Sequence, residues 1–68
     1  MTQDHKRFIM HLKVLRAQRG WSQVALSKRA GLTKEYIARL ELGQHDPSLS
    51  TLTKLAKALK VTVAELVE

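Results

Sequence analysis

Sixty-eight residues, with twelve Lys and Arg against six Asp and Glu and no cysteine, bound this chain before any motif is read. That length accommodates one domain, over residues 1–68, whose core is marginal because a chain of this size buries only about 60% of the surface it exposes when unfolded. With no disulfide and no zinc-type cysteine spacing to reinforce it, stability has to come from well-packed helices or self-association.

The absence of cysteine fits a reducing compartment. No apolar run approaches the roughly 20 residues of a membrane span, and "MTQDHKRF" lacks the apolar centre of a secretion signal. The expectation is a soluble, cytoplasmic protein. Three of the six acids, Asp4, Glu65 and Glu68, lie within five residues of a terminus, so the stretch from Lys6 to Lys60 carries twelve basic residues and three acidic ones. Such an imbalance creates a positive field that attracts polyanions, although basic surfaces also serve solubility.

In chain order, Phe8, Leu12 and Leu15 recur at i, i+4 and i+7 and predict a first helix over 4–19, ended by Gly20. Ser22 suits the N-cap of a second helix over 22–30, with Leu26 and Ala30 inward and Gly31 after its end. Thr33 caps a third over 33–42, with Ile37 and Leu40 inward and Gly43 as its stop. After "QHDPS", Ser48 caps a fourth over 49–59, with Leu49, Leu52, Leu55, Ala56 and Leu59 on one side. Thr62 opens a fifth over 63–67, and "TVAE" spells a capping box in which Glu65 reaches back to the Thr62 N–H. The reading is all-α: five helices, no strand, and connections of two to five residues.

The join between the second and third helices carries the most information. "QVALSKRAGLTKEYIARLE" sets Leu26, Ala30, Gly31, Leu32, Ile37 and Leu40 at the spacing of a helix-turn-helix, with the glycine making the turn and Leu32 plugging the corner. A plain helical hairpin would satisfy the same constraints.

With "LKVLRAQRG", "WSQVALSKRAGLT", "YIARLELGQHDPSLSTLTKLAKAL" and "VTVAEL" in one chain, the sequence resembles the Cro and phage-repressor type of helix-turn-helix DNA-binding domains, the XRE family, over about Phe8 to Leu66. The resemblance implies a compact five-helix, lambda-repressor-like domain. It further implies binding to double-stranded DNA, usually as a homodimer on a pseudo-palindromic operator, with the third helix in the major groove. Lys34, Glu35 and Arg39 fall where relatives commonly read base edges. Their chemistry agrees, since Lys or Arg donates to guanine O6 and N7 and a carboxylate accepts from cytosine N4.

Ser22 and Gln23 fall where relatives meet the phosphate backbone, the glutamine there also bracing the recognition helix, with Thr33, Tyr36, Gln44 and His45 on the flank of that contact. Arg16 and Glu41 match a structural ion pair between the first helix and the end of the third. Each role has a plainer rival: Lys34 as a solvated lysine or a phosphate contact, Glu35 as a repeller of wrong sequences, Tyr36 as a packing ring whose hydroxyl meets phosphate or water. Lys6, Arg7, Lys13, Arg19, Lys28, Arg29, Lys54, Lys57 and Lys60 mostly read as solvated faces, with a few near helix ends, which the sequence does not single out, available to steer DNA. Val63 and Val67 do not both fit the inward side set by Leu66, which makes them candidate dimer contacts.

Departures from the family pattern are Lys60 where a helix-ending glycine is common, Ser27 for a small apolar residue, Ala25 for a frequent acid, and Leu42 at an often polar position. Lys60 therefore either adopts a left-handed conformation or the turn is built differently. An enzyme is not expected: His5 and His11 project about 240° apart on a helix, His45 is isolated, and no carboxylate pair, activated nucleophile or phosphate-cradling loop is visible. No metal and no cofactor are expected. The functional expectation is a sequence-specific transcriptional regulator. The competing expectation is a protein-interaction module, such as an antitoxin or adaptor, with Leu42 as an anchor.

Overall fold

The computed structural model describes residues 3–68, in which five helices follow one another: α1 (Gln3–Gln18), α2 (Gln23–Ala30), α3 (Lys34–Glu41), α4 (Leu49–Leu59) and α5 (Val63–Val67). The last two match their expected bounds, and the first three differ by one residue at each changed end. Four hydroxyl caps fix the starts: Ser22, Thr33, Ser48 and Thr62 accept hydrogen bonds from the N–H groups of Ala25, Tyr36, Thr51 and Glu65 at 3.0–3.1 Å. Each satisfies an N–H that the helix itself cannot and contributes on the order of 1 kcal/mol.

The helix ends are set by left-handed residues. Gly31 has φ 68°, and its N–H returns to the Ser27 carbonyl, so α2 stops and the chain reverses within three residues into α3. Lys60 resolves its alternative in favour of the left-handed conformation, with φ 59° and ψ 43°, and is the one non-glycine residue with positive φ among those described. Val61 N–H to the Ala56 carbonyl at 3.0 Å closes that turn.

Two expectations need correction. The α3–α4 connection spans residues 42–48, longer than the expected two to five, because α3 ends at Glu41 and Pro47 disfavours helical conformation in the residue before it. Leu49 does not face inward; it is 74% exposed. As the first residue of α4 its side chain leans toward the helix N-terminus, past the end of the element, while Thr51 takes the buried place in that turn.

The core comprises Phe8, Leu12, Leu26, Ala30, Ile37, Leu40, Leu55, Ala56, Leu59 and Leu66, with Leu15, Leu32, Leu52, Val63 and Val67 packed around it. α1 lies against α3 and α5, α2 against α3 and α4, and α4 against α5, so every helix has at least one partner. Ser27, buried at the centre of α2, directs its hydroxyl to the Val24 carbonyl at 2.7 Å and is thereby tolerated where an apolar residue was expected.

Candidate nucleic-acid interface

α3 is amphipathic with an unusual outer face. Ile37 and Leu40 are fully buried behind it, while Lys34, Glu35, Arg39 and Leu42 are exposed and Ala38 is half-buried between them. At about 100° per residue, these five span an arc of roughly 140° on the side opposite the buried pair. Two cations and a carboxylate thus project from one rigid surface, a mixed set of donors and acceptors of the kind that matches base edges.

What holds that surface is polar and internal. Glu41, in the last turn of α3, has a side chain 4% exposed and receives Arg16 in a two-pronged ion pair, Nε to Oε2 at 2.8 Å and Nη2 to Oε1 at 2.9 Å. Gln23 Nε2 donates to the same Oε1 at 3.1 Å, and Arg16 Nη1 donates to the Trp21 carbonyl at 2.9 Å. The Glu41 carboxylate therefore ties α1, the start of α2 and the end of α3 together, and Arg16 adds the α1–α2 turn. The bidentate geometry restricts orientation as well as distance.

A second fastening joins α3 to α4. The Tyr36 hydroxyl lies 3.2 Å from Thr51 Oγ1, which also accepts from Ser48 at 3.1 Å. The Tyr36 ring meets His45 at 5.9 Å with a 58° tilt. The hydroxyl thus has a partner in buried Thr51, and the ring orients His45 in the connecting loop. Gln44 is exposed beside it, with its N–H on the Arg39 carbonyl at 2.9 Å. Ser22 and Thr33 sit exposed at the starts of α2 and α3, their oxygens capping those helices.

Several contacts had no visible sequence signal. Arg29 lies over the Trp21 ring at 4.3 Å with Arg19 at 6.0 Å, and Arg19 donates to the Leu15 and Leu59 carbonyls instead of facing solvent. His5 approaches Asp46 at 3.0 Å and His11 approaches the Leu66 carbonyl at 3.1 Å, so the two histidines serve different contacts. Val63 and Val67 are both half-buried against the core, whereas Met10 and Val14 on α1 are about half exposed. Among the described residues, no group of three or more His, Asp and Glu is poised to hold a metal and no helix is long and apolar enough to cross a membrane.

Residues 12–66 match the family model described as helix-turn-helix. The chain is 39% identical over 56 residues to the immunity repressor protein of Bacillus phage phi105, covering 82% of this chain but 39% of that repressor. An HTH-type transcriptional regulator of Sinorhizobium fredii, y4dJ, is 40% identical over 53 residues, covering 78% of this chain and 69% of that one. The fold also superimposes on the crystal structure of the restriction-modification controller protein C.AhdI from Aeromonas hydrophila with a TM-score of 0.88 and 37% identity, spanning 96% of this chain and 98% of that one.

Proposed function

The chain belongs to the XRE-type helix-turn-helix family of transcription regulators, and on that premise we propose that it binds double-stranded DNA sequence-specifically and regulates transcription by occupying an operator. It acts in the cytoplasm as a homodimer on a pseudo-palindromic site, with α3 in the major groove, and represses the genes it covers or its own. The carrying observation is the exposed Lys34, Glu35 and Arg39 stripe on a helix fixed from behind by buried Ile37, Leu40 and Glu41.

In this reading Arg39 and Lys34 donate to guanine, and Glu35 accepts from cytosine or repels wrong sequences. Ser22, Gln23 and Thr33 present polar groups and helix N-termini to phosphates, with Gln44 and His45 doing so from the loop. Gln23, bonded to Glu41, couples the phosphate contact to the position of α3. Val63 and Val67 contribute the outer edge of α5 to the dimer.

Selection of bound duplexes from a random pool should recover a two-fold symmetric site. Binding should weaken steeply with salt, by about 0.9 log units per log unit of salt for each neutralised phosphate. A protein that prefers no duplex, or shows no salt dependence, would defeat the proposal, and sedimentation as a monomer both free and on DNA would defeat its dimeric part. Leu42, 68% exposed at the end of the same helix, favours a second reading in which this face docks a protein partner. Leu42→Ser should then abolish partner capture and leave duplex affinity unchanged.

A further inference from the structure

Four cations that are scattered in sequence meet in one groove. The last turn of α2 supplies Lys28 and Arg29, and α4 supplies Lys54 and Lys57, three residues apart on one helical face. The groove encloses about 420 Å³, and its remaining lining is Ala30, Gly31 and Ala58. No carboxylate lines it. The ion pairs of the described residues, Arg16 with Glu41 and His5 with Asp46, lie elsewhere.

Part of this charge has a local purpose. Lys28 and Arg29 oppose the negative end of α2, and Arg29 rests on Trp21. Lys57 likewise opposes the negative end of α4, but none of these purposes requires Lys28, Lys54 and Lys57 to converge on the same space, where like charges repel. The small residues leave the floor open, since a Cβ placed on Gly31 would meet nothing within 4 Å. With the Arg29 guanidinium folded back onto Trp21 and the Ala25 carbonyl, the groove keeps three lysine donors, no lining carboxylate and an open floor, a set that fits an anion with several oxygens.

We propose that this groove is a further contact for DNA phosphates, engaging the duplex beyond the base pairs that α3 reads; the inference rests on the duplex-DNA reading above. α2 has eight residues, about 12 Å of helix, and in that reading its first residues face the backbone. Its opposite end carries the groove, one helix length away from those first residues. Non-base-reading contacts of this kind add affinity and fix register without adding sequence preference.

The test uses duplexes selected from a random pool, made as the minimal protected core and as that core extended by several base pairs at each end. Wild type is compared with the double variant Lys54→Gln, Lys57→Gln across a salt series. Both replaced residues are exposed, so an unchanged melting temperature should confirm folding. On the extended duplex the variant should bind about tenfold more weakly, with a salt slope shallower by about 1.8 per protomer. On the core duplex the two proteins should bind alike.

Equal slopes on the extended duplex would overturn the inference, as would an equal loss on both lengths, which places the groove inside the core contact. Inorganic tripolyphosphate provides the second arm. If it shifts the Lys54 and Lys57 amide resonances while duplex length has no effect, the groove takes free phosphate and the flanking contact is refuted. Failure of wild type to prefer any duplex is a separate result, which defeats the DNA reading along with this one.

Discussion

The two ends of α2 treat charge in opposite ways. At its start, Gln23 joins Arg16 on a Glu41 carboxylate that is almost fully buried, and these hydrogen bonds place one helix against another. At its end, Lys28, Lys54 and Lys57 line an open groove without an acid, beside an Arg29 that rests on Trp21. A cation matched inside the protein sets geometry and is consumed by doing so. A cation left unmatched keeps its capacity for a partner from outside, which makes the absence of a carboxylate in the groove as informative as the presence of one under Arg16.

The contrast can be broken at its internal end first. Arg16→Ala leaves the Glu41 carboxylate buried without its cation, and thermal or denaturant unfolding should show a loss of about 3–5 kcal/mol. A loss below 1 kcal/mol would mean that the carboxylate reaches water, and the distinction between the two ends would weaken. On the exposed face of α3, if Arg39 reads guanine as proposed, Arg39→Ala should cost about 1–3 kcal/mol in duplex binding and relax one base position of the proposed half-site, with little change in unfolding. A uniform loss over all sequences would reassign Arg39 to the phosphates.

Smaller effects sharpen the picture. Tyr36→Phe removes the hydroxyl beside Thr51, and unfolding should become easier by about 0.5–1.5 kcal/mol, an amount that an ordinary solvent-facing tyrosine would not show. Lys60→Gly relieves a left-handed lysine and should raise stability by about 1 kcal/mol, seen as a higher melting temperature. Lys60 is a cation whose cost is conformational, so no change in duplex salt dependence should accompany it.

Much of the fold was legible because its punctuation is local. A hydroxyl residue before each of α2 to α5 and a glycine after each of α1 to α3 act within a few positions, and their chemistry does not wait for the tertiary structure. Leu49 escaped because helical spacing places a residue around the axis but does not say that the first turn overhangs the core. Lys60 left two options because local pattern weighs strain but not the packing that compels it.

For the site, the Arg16 and Glu41 pair and the bracing of α3 by Gln23 were reachable through family resemblance, and the structure places these side chains in contact, but the entry of the Trp21 carbonyl into the same network depends on the angle between α1 and α2. The partner of Tyr36 is fifteen residues away. The basic groove is less legible still, because Lys28 and Lys54 become neighbours only through the packing of α2 on α4. In sequence, each looks like a solvated lysine.

The chain from Tyr36 through Thr51 to Ser48 has a thermodynamic consequence. Because it fastens α3 to the start of α4, and Glu41 fastens its far end, the exposed face of α3 is held in one arrangement in the free chain. Association then carries no folding transition of its own. Its heat-capacity change should scale with the surface covered at the contact alone, without the larger negative contribution that accompanies ordering of a disordered segment.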